Sequence, residues 1–174
     1  MRAAILSEQQ FEQVFAYIDT MKRPAMYRLM LLLTKRLGLR PIELANMDSS
    51  WWYNDELRIP QGSTKRQGSR SLPVDAELLA ALEAHMRGRV GRVFLNARGE
   101  VFAANGITEA MRRLYRNAGV DGSAYSGRRT AATNMVDRNI SIRVVQDFLG
   151  HKNLATTAAY CSTTPAMLRR AVFG

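Results

Sequence analysis

Phe11, Val14, Phe15 and Ile18 recur at three- and four-residue steps, the spacing that gathers apolar side chains on one helix face. Ser7 with Gln10 forms a capping box just ahead of them, which predicts a first helix over about residues 8–20. Pro24 opens a second, in which Met26, Leu29, Met30 and Leu33 repeat the pattern until Gly38 stops it. After Pro41 a short helix carries Ile42 and Leu44 towards the core. The period then changes. "WWYNDELRIPQGSTKRQGSRSLPV" holds short β-prone runs separated by turn signals at Asn54-Asp55 and from Gln61 to Gly68. It predicts three small antiparallel strands, with Lys65 on or near the second hairpin's loop.

Asp75 caps a further helix through Leu78, Leu79 and Leu82. "RVFLN" is a short extended piece, and Thr108 to Asn117 is helical. From Ser126 onward the chain predicts three short helical pieces, broken near Asn139 and Gly150. No repeats, low-complexity tracts or linker-like stretches interrupt this pattern. The expected architecture is one domain over residues 1–174, mainly α with a small three-stranded antiparallel β-sheet.

Composition narrows the partners. The 174 residues carry 25 Lys and Arg against 15 Asp and Glu, a net charge of +10, which favours a polyanion. No apolar run reaches the ~18 residues that span a bilayer, and "MRAAILSEQQ" has no signal-peptide core or cleavage site. A lone cysteine, Cys161, excludes an internal disulfide and a cysteine-rich metal site, and two histidines argue against zinc. The expectation is a soluble cytoplasmic protein with nucleic acid, not membrane, as its partner.

Three places hold residues that folding alone does not call for. In "GLRPIELANM", Arg40 stands where the positive end of the next helix faces it. In "YSGRRTAATNMV", Ser126 is the expected N-cap, so Arg128 and Arg129 crowd the positive end of another helix. A bound phosphate reverses that repulsion, because arginines and backbone N–H groups then face one anion. In "DFLGHKNLATTAAYCST", His151 follows a helix-ending glycine and Tyr160 lies on the next helical segment. Taken singly, each arginine reads as a solvated charge, the histidine as a surface cap and the tyrosine as a packing residue.

Jointly the segments resemble the catalytic domain of tyrosine recombinases of the phage integrase family. "ILSEQQFEQVF" is similar to the family's opening helix, and "GLRPIELANM" to the segment of its first catalytic arginine, here Arg40, with Glu43 as acidic neighbour. "GSTKRQGSRSLPV" resembles the hairpin of the catalytic lysine, here Lys65, and "YSGRRTAAT" the His-x-x-Arg box, giving Arg128. "LGHKNLATTAAY" resembles the closing signature, with His151 nine positions before the nucleophile, Tyr160.

The resemblance implies attack of Tyr160 on a DNA phosphodiester, a 3′-phosphotyrosyl link and no cofactor or metal. It also implies double-stranded DNA as partner and a homo-oligomer, a tetramer, on that DNA. Arg66, Arg70, Arg129 and Lys152 are candidate contacts to the DNA backbone, as are Arg112, Arg113 and Arg116. Two departures stand out. Tyr125 replaces the histidine of the box, and a phenol is a poor base at neutral pH. No counterpart of the family's N-terminal core-binding domain is present, as in a minimal recombinase or a fragment. Together they keep a second reading open, a catalytically impaired DNA-binding regulator with the recombinase fold.

Overall fold

Helix α2 (Pro24–Leu37) is the axis on which the rest is assembled. Its whole stretch Leu29–Thr34 is buried, so the helix is enclosed on every side instead of presenting one stripe. The reason is its neighbours: α1 (Glu8–Asp19), α4 (Ala76–Met86) and α6 (Ser126–Asp137) all pack against it. The computed structural model describes residues 3–62, 69–160, 163 and 165–173, with Tyr160 by its backbone alone.

The capping box at α1 forms as expected: Ser7 Oγ accepts the Gln10 N–H and Gln10 Oε1 accepts the Ser7 N–H. Asp75 Oδ1 likewise caps α4 through the Leu78 N–H at 3.0 Å. Between α2 and α4 lie α3 (Pro41–Asn46) and a sheet of β1 (Trp52–Tyr53), β2 (Glu56–Ile59) and β3 (Arg70–Pro73). The strands run antiparallel in the order β1-β2-β3. Trp52 faces Leu57 and Tyr53 faces Glu56, so Asn54-Asp55 is a two-residue hairpin loop, with Asn54 left-handed at φ 54°. The expected position of Lys65 and Arg66, between β2 and β3 in the chain, lies outside the described residues.

α5 (Ala104–Asn117) starts four residues before the Thr108 that the sequence suggested, because Ala103 caps it without a side-chain bond that could signal the start. It packs on α1 and α3. α6 is capped by Tyr125, one residue before the expected Ser126, whose Oγ instead accepts the Ser123 N–H at 2.9 Å. Next come α7 (Ile142–Leu149), α8 (Leu154–Tyr160) and α9 (Pro165–Phe173).

The seat of α6 is unusually close. A Cβ on Gly127 would stand 2.8 Å from the Thr34 carbonyl carbon and 2.9 Å from the Lys35 nitrogen. Glycine therefore lets α6 lie against the backbone of α2, which sets where Arg128, the next residue, emerges. Ala132, Val145 and Leu149 form a small apolar joint between α6 and α7. Among the described residues no helix is long and apolar enough to cross a membrane.

Candidate active site

Two helix ends build the centre of the site. α2 ends at Gly38 and α7 at Gly150, both left-handed, with φ of 59° and 61°. At α7 the His151 N–H returns to the Gln146 oxygen and the Gly150 N–H to the Asp147 oxygen, both at 3.0 Å. This is the Schellman arrangement, and it leaves the Leu149 carbonyl without an intrahelical partner. Arg40 Nη1 and Arg128 Nη2 fill that vacancy, donating to the Leu149 oxygen at 3.1 and 2.8 Å. Arg128 Nη1 also donates to the Gly38 oxygen. The negative ends of two helices thus hold the two guanidiniums.

Arg128 is fully buried, as is the carboxylate of Glu43. Glu43 Oε2 accepts the Arg40 N–H at 2.7 Å, at the start of α3. Arg70 forks onto the same carboxylate, Nη1 to Oε1 at 2.7 Å and Nη2 to Oε2 at 3.1 Å. The Arg40 guanidinium stands farther off, Nη1 at 3.5 Å from Oε1.

His151 is buried beside Arg128, whose Nη2 lies 3.0 Å from its Nε2. A guanidinium can only donate, so Nε2 accepts and the ring proton sits on Nδ1. Nδ1 in turn donates to Thr157 Oγ1 at 2.9 Å. Burial above all, then the charges of Arg128, Arg40 and Arg70, lower the His151 pKa to about 3. The imidazole is therefore neutral at physiological pH. Gln146 Nε2 donates to the His151 carbonyl at 2.9 Å, so the histidine is clamped at backbone and ring alike.

Of the residues singled out from sequence, Arg40, Arg128 and His151 come together. Tyr160 closes α8, the helix that Thr157 docks onto His151, while its side chain lies outside the described atoms. Tyr125 caps α6 and is exposed. Lys152 is exposed, as are Arg112, Arg113 and Arg116 on α5. Two of the candidate DNA contacts make bonds within the fold. Arg70 is spent on Glu43, and Arg129 Nη1 donates to the Ala3 oxygen, tying the N-terminal segment to α6. Thr157 escaped sequence reasoning, because a threonine in "LATTAAY" looks like any small helix-filling residue.

Residues 4–167 match the model of the Phage integrase family. The chain belongs to the phage integrase family. A curated relative, the Tyrosine recombinase XerA of Pyrococcus furiosus, is 27% identical over 178 residues, covering 96% of this chain and 60% of the relative. The chain thus spans less than two thirds of the curated relatives' length. Among solved structures, a XerA recombinase crystal structure superposes with a TM-score of 0.81 at 22% identity, over 97% of this chain and 63% of that one. The Tn1549 transposon integrase in complex with circular intermediate DNA gives 0.80 at 18% identity, over 97% and 66%. The fold is that of the integrase family's catalytic domains: mostly helical, with a three-stranded antiparallel sheet.

Proposed function

We propose that the protein is a site-specific DNA recombinase that cuts and rejoins strands through a phosphotyrosyl intermediate on Tyr160. The observation that carries the reading is the meeting of Arg40, Arg128 and His151 around the end of α7, with the helix of Tyr160 docked on the same histidine. The relatives named tyrosine recombinases support it.

In the reaction the Tyr160 oxygen attacks the phosphorus, its proton passing to solvent, and the P–O5′ bond breaks. The leaving 5′-oxygen takes a proton, with Lys65 as the acid, and leaves as a hydroxyl. Reversal by a second 5′-hydroxyl reseals the backbone, so the bond energy is conserved in the covalent link. Negative charge gathers on the nonbridging oxygens in the transition state. Arg40 and Arg128 meet it with donors already held in place by main-chain oxygens, so little reorganisation is needed at the moment of reaction. A phosphate offsets the guanidinium charges but not the burial that chiefly lowers His151, so the ring stays neutral and its Nε2 goes on accepting from Arg128, holding that guanidinium in place.

DNA is the substrate, and a homo-oligomer on DNA the acting form. The exposed Lys152, Arg112, Arg113 and Arg116 add charge for backbone contacts. Binding by this chain is expected to be weak and to fall steeply with salt.

The test is a pool of nicked duplexes with a randomised core, in which cleavage beside the nick releases a short end and traps the adduct. A covalent protein–DNA species that Tyr160→Phe abolishes is the expected result. Salt-sensitive binding without any adduct would instead support the regulator reading, which Tyr125 at the histidine position of the box motivates.

A further inference from the structure

The sequence placed Arg70 among the contacts to DNA, yet the fold turns it inward. Its side chain is 9% exposed and forks onto Glu43, which is 0% exposed. We propose that Arg70 is a positioning residue for Arg40: by occupying both oxygens of Glu43, it keeps the carboxylate from capturing the Arg40 guanidinium. The inference rests on the recombinase reading, because it concerns how Arg40 is presented to a phosphate.

The geometry sets up a competition for one buried anion. Glu43 is fixed where it is by the Arg40 N–H, so its charge always lies beside Arg40. An unpaired carboxylate with no water around it draws in the nearest cation. Next to Arg70 comes Arg40, whose Nη1 makes only a long ion pair with Oε1, at 3.5 Å, while donating to the Leu149 oxygen at 3.1 Å. Arg70 meets the carboxylate in the planar two-bond fork that guanidinium and carboxylate share. With that fork in place, Arg40 stays aimed at the α7 terminus, beside Arg128. Without it, Arg40 shifts from Leu149 fully onto Glu43, and a phosphate must break a much tighter ion pair to recruit it. Arg70 opens β3 opposite Ile59, so the clasp also fixes the sheet against α3.

Two readouts on a duplex recovered from the nicked pool separate this role from a phosphate contact. One is the rate of adduct formation at saturating DNA; the other is the slope of log affinity against log salt. For Arg70→Gln we expect the rate to fall at least ~10-fold, in the range of couplings between touching groups, with the slope unchanged. A phosphate contact predicts the opposite, a slope reduced by about 0.9 and an unchanged saturated rate. Glu43→Gln combined with Arg70→Gln removes the carboxylate that captures Arg40, so the double variant should cleave faster than Arg70→Gln alone. Arg70→Lys, a single ammonium that cannot fork across two oxygens, should fall between wild type and Arg70→Gln, and carries the test with the double variant if Arg70→Gln does not fold. A reduced slope with an unchanged rate, or a folded double variant no faster than the single, would overturn the proposal and leave the recombinase reading standing. No adduct from wild type on any duplex would overturn both.

Discussion

Arg40 and Arg128 donate to one acceptor, the Leu149 main-chain oxygen, from the N-cap of α3 and from α6, which are remote in the chain. Their relative placement therefore depends on where α7 ends, and Gly150 decides that by its left-handed turn. Arg128 reaches three acceptors at once: the Leu149 and Gly38 oxygens and His151 Nε2. A lysine ammonium has no planar fork to span them. Arg128→Lys should lose about 1–3 kcal/mol of stability for each buried group left unpaired, and adduct formation with it. Urea denaturation measures the first; an unchanged midpoint would contradict the buried network.

His151 gives a pH signature. Its pKa is about 3 in the fold and about 6.5 in an unfolded chain. Between those values the unfolded chain takes up a proton that the folded chain refuses. Stability should therefore fall as pH drops from about 6.5 towards 3, by at most about 1.4 kcal/mol per pH unit. Burial also lowers His85, and hydrogen bonds to Ser50 lower Asp48, so the informative quantity is the difference between wild type and His151→Gln. Denaturation curves from pH 7 to 4 that run parallel for the two proteins would refute the assignment.

Thr157 is expected to set the tautomer. Thr157→Val keeps the shape but removes the acceptor for the Nδ1 proton, costing about 1–3 kcal/mol for the unpaired donor. Nitrogen NMR of the wild-type imidazole should show a neutral ring protonated on Nδ1 at pH 7. The valine variant should show a mixture of tautomers, and an unaltered spectrum would mean that Arg128 alone dictates the proton's position.

Gly127 tests how closely α6 must sit. Gly127→Ala puts a methyl 2.8 Å from Thr34 backbone and side-chain atoms, and backbone cannot swing aside as a side chain does. We expect a loss of about 1–3 kcal/mol, the usual range for overpacking. Adduct formation should also slow beyond what the lost stability explains, because Arg128 moves with its helix. A variant that melts early yet cleaves at the wild-type rate when folded would separate the two effects and count against this coupling.

Much of this was legible in the chain, and the parts that were not share a cause. The Ser7 box, the Pro24 and Gly38 ends of α2 and the Asn54-Asp55 hairpin are local devices, with partners a few residues apart. The Arg70 fork could not be read from the chain because its partner, Glu43, lies 27 residues away. An arginine near a hairpin looks solvated until the sheet folds onto α3. Leu31 and Leu32 break the amphipathic spacing of α2, and only the helices packed around it explain why both are buried. Arg40, Arg128 and His151 could be named from motifs, whereas the Leu149 carbonyl that unites the two arginines cannot be, because every residue has one.

Holding Arg128 by two peptide oxygens has a consequence for ligand entry. A carbonyl aligns a guanidinium through its dipole but carries no net charge, so the cation is steered without being cancelled. An incoming anion therefore meets a guanidinium whose charge those two oxygens leave in place. The scaffold resembles a sprung latch, set in advance and released by charge alone.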